Sequence, residues 1–159
     1  MQENSSNENT KLISDIEDFL DNCGHECLKA FRYYEPKGQK GYQGNRKELV
    51  ARRVESHIET ILITLSGGDA PVAYGHLDAC HEGKVWLGLC VADDAQGLGL
   101  GRVMIKYLLS KYDGEVNMTV DVDNTPSINL CKQYGFENTR TNVKMNDERG
   151  SIVNYMRKK

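Results

Sequence analysis

Apolar residues along the chain recur at two spacings, and each spacing predicts a different element. Leu12, Ile16, Phe19 and Leu20 share one side of a 3.6-residue repeat, which predicts a helix over residues 11–21. Weaker helical patterns cover 48–56 and 103–109. Residues 58–65 alternate and are rich in β-branched side chains, so they predict a strand, and Ser66-Gly67-Gly68-Asp69 supplies its turn. A strand over 72–78, a turn at His81-Glu82-Gly83 and an apolar strand over 85–91 follow. Val116, Met118, Val120 and Val122 alternate with Asn117, Thr119, Asp121 and Asp123, the pattern of a half-buried strand. A strand over 28–34, a Gly- and Lys-rich loop over 35–44, and a closing hairpin from 136–145 and 151–156 complete the reading. The fold class expected is α/β, with helices around a mixed sheet.

Composition narrows the setting. A chain of 159 residues is one domain, long enough to bury a core; residues 1–10 are polar and predict a disordered tail before a single domain over 11–159. No apolar run approaches a membrane span, and the N-terminus lacks the apolar core of a signal peptide. Cys23, Cys27, Cys80, Cys90 and Cys131 are odd in number and form no C-x-x-C pair, which predicts reduced thiols and a cytoplasmic location. Cys23 and Cys27 have no later Cys or His pair at zinc-like spacing, so no metal is expected.

The chemistry is concentrated at 91–102. Val91-Ala92-Asp93-Asp94-Ala95-Gln96-Gly97-Leu98-Gly99-Leu100-Gly101-Arg102 joins the apolar strand to an amphipathic helix. Such a junction aims backbone N–H groups and the positive end of the helix dipole at one point, a seat for an anion such as a pyrophosphate. A dinucleotide G-x-G-x-x-G fails, because Arg102 or Met104 falls at the third glycine, and no Gly-Lys-Ser/Thr of a P-loop occurs. What fits is Gln96-x-x-Gly99-x-Gly101, which resembles the Q/R-x-x-G-x-G/A motif of the GCN5-related N-acetyltransferases.

A second segment strengthens that resemblance. Asn124, Leu130, Gly135 and Phe136 match the same family's N-x-x-A-x-x-L-Y-x-x-x-G-F at the right intervals. Thr125 suits a helix cap, Pro126 its first turn and Gly135 its left-handed end. The resemblance spans residues 72–136 and implies a mostly antiparallel mixed sheet that takes acetyl-CoA as co-substrate. By resemblance, Gln96, Gly97, Leu98, Gly99, Leu100, Gly101 and Arg102 cradle the pyrophosphate. Leu89, Cys90 and Val91 then hold the pantetheine arm on a splayed strand, and Asn124 supports it from the other strand. Transfer in the family is usually direct, in a ternary complex.

Acyl transfer to an amine requires removal of the ammonium proton, stabilisation of an oxyanion and protonation of the departing thiolate. Cys131 stands where the family has the tyrosine of the L-Y pair. A thiol with a pKa of about 8.5 matches a thiolate in acidity, so Cys131 is one candidate acid. Tyr134, one helical turn on, is another. Cys131 as nucleophile and Cys131 as a small buried packing residue are the remaining readings. His76 is the first candidate base: it shares a strand face with Tyr74 and Asp78, an arrangement that suits a cleft wall as well as a structural pair. His57, Asp121 and Asp123 follow it.

Local charge bears on the acceptor. The net charge is −3, yet Lys29, Arg32, Lys37, Lys40, Arg46, Lys47, Arg52 and Arg53 face only Glu35 and Glu48 between residues 29 and 53. Phe31, Tyr33, Tyr34 and Tyr42 are interleaved with them. This segment lies on the acceptor side in the family and suits an anionic small-molecule amine, such as a nucleotide-linked amino sugar, while a solvated helix face and loop is the plainer reading. The acidic remainder argues against nucleic acid as a partner, and a homodimer is compatible with the sequence. The alternatives to a small-molecule N-acetyltransferase are a non-catalytic acyl-CoA-binding module and a protein or peptide N-acetyltransferase.

Overall fold

The computed structural model of the chain describes residues 2–24, 34, 45–145 and 150–159. Helix α1 (Gln2–Asn22) carries the expected apolar stripe and begins well before it. Residues 2–10, expected as a disordered tail, continue the helix, since they contain neither Gly nor Pro to stop it and each added residue gains a backbone bond. Helix α2 (Arg46–Glu55) is capped by Asn45, whose side chain accepts from the Glu48 N–H at 3.0 Å. Strands β1 (His57–Ile63), β2 (Ala73–His81) and β3 (Lys84–Val91) follow. A 3₁₀ turn (Asp93–Ala95) leads to helix α3 (Leu100–Ser110), strand β4 (Val116–Asp121) and helix α4 (Thr125–Gln133). Strands β5 (Glu137–Lys144) and β6 (Ile152–Lys158) form the expected hairpin. The expected strand at 28–34 and loop at 35–44 lie outside the described residues, Tyr34 excepted.

The strands form one six-stranded sheet in the order β1-β2-β3-β4-β6-β5. Every pairing is antiparallel except β3 with β4. That parallel pair has a single registered position, Trp86 opposite Asn117, beyond which the two strands diverge. The Asn117 side chain, itself buried, donates to the Val85 carbonyl at 3.4 Å and ties the joined end.

Two cores cover the two faces of the sheet. On one, Ile16, Phe19 and Leu20 of α1 and Leu49, Val50 and Val54 of α2 pack with Tyr74 and Cys90. Phe19 meets Tyr74 edge to face, with centroids 5.9 Å apart. On the other, Ile105 and Leu108 of α3 pack with Leu77, Leu87, Met118, Phe136 and Met156. Gly75 lets α3 approach: a Cβ there would lie 3.1 Å from Leu108 Cδ1 and 3.3 Å from the Gly88 carbonyl oxygen. Cys23 and Cys131 are free thiols, whereas Cys90 is disulfide-bonded to a partner outside the described side chains. That corrects the expectation of reduced thiols throughout, because linear spacing carries no information about which sulfurs meet in space. Among the described residues, no helix is long and apolar enough to cross a membrane.

Leu108 is fully buried and seats α3 on the sheet. Leu108→Ala should therefore destabilise the fold by about 2–5 kcal/mol, read as a lowered urea midpoint with an unchanged slope.

Candidate active site

The glycine-rich junction is built from β3 outward. The Ala92 N–H bonds the Val72 carbonyl at 2.7 Å, and the Asp93 N–H bonds the Cys23 carbonyl at 2.8 Å, so the chain leaving β3 is tied to β2 and to the end of α1. Gln96 folds back, its Nε2 donating to the Val91 carbonyl at 3.4 Å. Gly97 and Gly99 then take φ of 85° and 78°, the left-handed region that an L side chain rarely adopts. Gly99 opens α3, and the first helical bond runs from the Val103 N–H to the Gly99 carbonyl at 3.1 Å. The amides of Leu100, Gly101 and Arg102 precede it and present the positive end of the helix. A Cβ at Gly97 or Gly99 would meet nothing within 4 Å, so space lies over the bare backbone, and Leu98 between them is 62% exposed. The motif residues thus form a cradle that fits a pyrophosphate.

Beside this loop, the Leu89, Cys90 and Val91 end of β3 stands beyond the last pairing with β4. The Val91 carbonyl at that end already accepts from Gln96 Nε2 at 3.4 Å and lies 3.6 Å from Cys90 Sγ. Across the gap, Asn124 caps α4 by accepting from the Ser127 N–H at 3.3 Å. The cap is thus Asn124, while Thr125, expected in that place, is the first helical residue. Leu130 approaches the loop, 3.4 Å from where a Gly101 Cβ would stand. Tyr134 ends α4, half-buried, with its ring centroid 6.0 Å from the Arg102 guanidinium carbon. The structure therefore brings Gly101, Arg102, Leu130 and Tyr134 together.

Cys131 and His76 are placed differently. Cys131 is 2% exposed and points into the core, its Sγ 3.2 Å from Met118 Sδ. Burial pushes its thiol up to about 11. His76 is equally buried, with Nδ1 3.1 Å from Asp78 Oδ2. Its ring stacks on Tyr74 at 5.3 Å and on His57 at 4.4 Å between centroids. His57 bonds Thr60 Oγ1 through Nδ1 at 3.0 Å, while its Nε2 is buried without a partner. Burial above all, and then the neighbouring His76, hold the His57 pKa down to about 3. The grouping of His57 with His76 and Asp78 was not legible in the sequence. It depends on the β1–β2 register, which sets His57 opposite Asp78 and Thr60 opposite His76. Asp121 ends β4 half-buried and Asp123 is exposed beyond it.

Of the basic segment, Lys29, Arg32, Lys37 and Lys40 lie outside the described residues, as do Phe31, Tyr33 and Tyr42. Tyr34 is a core residue rather than an acceptor surface, 1% exposed, with its hydroxyl 2.8 Å from that of Tyr74. Arg46 pairs with Asp21 of α1. Arg52 and Arg53 occupy the last turn of α2, where cations suit the helix dipole.

Comparison with known proteins agrees with this architecture. The family model described as "Acetyltransferase (GNAT) family" matches residues 26–136, more than half of the chain. A mycothiol acetyltransferase from Arthrobacter sp. (strain FB24) is 32% identical over 108 residues, 59% of this chain and 33% of that protein. One from Acidothermus cellulolyticus is 40% identical over 80 residues, 46% of this chain and 24% of that protein. The chain thus matches a third or less of the length of these curated relatives. Among solved structures, the ribosomal-protein-S18-alanine N-acetyltransferase of Escherichia coli superposes with a TM-score of 0.57 at 19% identity, over 85% of this chain and 88% of that one. A putative acetyltransferase from Salmonella typhimurium, solved with acetyl-CoA, gives 0.58 at 18% identity over 83% and 87%. With its sheet opened beside a glycine-rich helix start and a family match across both, the chain belongs to the GNAT acetyltransferase family.

Proposed function

We propose that the protein is an N-acetyltransferase that moves the acetyl group of acetyl-CoA to the amine of a small molecule, directly and in a ternary complex. The observation that carries this reading is the divergence of β3 and β4 beside the left-handed glycines at the start of α3. Bound acetyl-CoA supplies the acetyl group as a thioester. The amides of Leu100, Gly101 and Arg102, with Gln96, Gly97, Leu98 and Gly99, hold its pyrophosphate; Leu89, Cys90 and Val91 orient its arm and polarise the carbonyl. Asn124 acts as the cap that fixes the start of α4 across the gap.

Tyr134 is the proton donor to the departing thiolate. It stands at the loop beside Arg102, whereas Cys131 is turned into the core with a raised pKa and serves there as packing. His76 is closed in by Asp78, Tyr74 and His57 and has no open face for an acceptor, so the base role goes no further with it.

A small-molecule acceptor is favoured because the curated relatives are named mycothiol acetyltransferases. A second reading, acetylation of a protein N-terminus, has its support in the superposition on ribosomal-protein-alanine N-acetyltransferases. A thiol-release assay with acetyl-CoA over amino sugars, polyamines, aminoglycosides and peptides separates the two. Turnover confined to peptides overturns the small-molecule reading.

Gly99→Glu places a negative side chain at the cradle and strains a left-handed residue by about 1–2 kcal/mol. Calorimetry should show acetyl-CoA binding lost while circular dichroism shows the fold retained; undiminished affinity in a folded variant contradicts the assignment.

Tyr134→Phe should lower kcat by about 100-fold or more, the usual size of a lost general acid. Cys131→Ala should leave kcat within about twofold of the parent, because a side chain that packs away from the reacting atoms makes no transition-state contact. An acetyl group trapped on Cys131 by mass spectrometry contradicts direct transfer.

The acceptor itself is read as anionic, steered by the basic segment that includes Arg52 and Arg53. Its KM should rise with salt, as charges are screened over about 8 Å at physiological ionic strength. Arg53→Glu should raise KM further with acetyl-CoA affinity unchanged; a fall in KM indicates a cationic acceptor.

A further inference from the structure

One cluster remains outside the acetyl-transfer machinery, and it is chemically the most unusual part of the core. His57 at the start of β1, and His76 and Asp78 on β2, bring one ligand-type atom each to within 4.8 Å of one another. Cysteine spacing carries no zinc signal in this sequence, so no metal is expected from it. Here the donors are two residues apart on one strand, with the third opposite them on the neighbouring strand. We propose that His57, His76 and Asp78 bind a first-row divalent transition ion, with zinc as the leading case.

Four observations carry the assignment. Two imidazoles and a carboxylate suit such an ion better than magnesium or calcium, which prefer all-oxygen shells. His57 keeps Nε2 buried and without a partner, an orphaned polar atom in the interior. Its other nitrogen, Nδ1, lies 3.0 Å from Thr60 Oγ1; in the tautomer whose Nδ1–H donates to that hydroxyl, the Nε2 lone pair is left for a metal. Finally, the buried Asp78 carboxylate lies 3.1 Å from His76 Nδ1, which sets an oxygen donor beside the two imidazoles.

Donor atoms around tetrahedral zinc lie about 3.4 Å apart, given Zn–N bonds of about 2.0–2.1 Å. The cluster spans 4.8 Å at most, and the His57 and His76 rings stack at an interplanar angle of 27°. Closing on an ion therefore requires one imidazole to rotate about its Cβ–Cγ bond, and any proton held between His76 and Asp78 leaves to solvent. The ion would tie the first residue of β1, just after α2, to the middle of β2. The site stands independently of acetyl transfer.

The test uses the full chain, freed of any affinity tag, stripped with chelator and titrated with Co²⁺ and Zn²⁺. One equivalent should bind, with Co²⁺ giving the visible d–d bands of a low-coordinate site and Zn²⁺ raising Tm. His57→Ala should lose the bands and the stoichiometric uptake. Less than stoichiometric uptake by the parent chain, or uptake undiminished in a folded His57→Ala, overturns the proposal. Should that variant fail to fold, X-ray absorption of the zinc-loaded parent decides. A shell of two imidazoles and oxygen supports the site, and sulfur in the shell, pointing to cysteine, overturns it.

Discussion

The parting of β3 from β4 is the constraint on which the rest of the site depends. The two strands are parallel, meet at Trp86 and Asn117, and share no further registered pair. The buried Asn117 amide, bonded to the Val85 carbonyl, holds the joined end closed. Beyond it the facing edges of β3 and β4 are no longer paired with each other, and a buried strand edge has to find its partners elsewhere. Both strands run toward the same end of the sheet, so the loop after β3 and the helix after β4 arrive on either side of one opening.

Each wall of that opening is held by a separate core. The α1 and α2 core pins β1, β2 and the start of the glycine loop, through contacts such as Phe19 on Tyr74 and the Asp93 N–H on the Cys23 carbonyl. The α3 and α4 core pins β4 and the helix start, through Ile105, Leu108 and Cys131. Cys131 illustrates how packing overrides a motif. At a position where the family carries a tyrosine, this chain has a thiol packed on Met118, and the tyrosine ring near Arg102 is that of Tyr134. The polar stack of His57, His76 and Asp78 continues from Tyr74, itself part of the α1 and α2 core.

Much of this was legible in the sequence because it is local. The alternation of Val116, Met118 and Val120, the apolar stripe of Leu12, Ile16 and Phe19, and the glycines at 97 and 99 report periods and dihedral needs that a short segment carries by itself. The same locality made the glycine-rich junction readable, since a strand, a glycine turn and a helix start are consecutive. Only the tertiary structure decided which side chains face each other across strands. It set His57 beside His76, hid Cys131 and Tyr34, brought Tyr134 to Arg102 and placed Cys90 in a disulfide. Register and helix docking are chosen by the free energy of the whole core, summed over residues far apart in the chain, and no single segment contains that information.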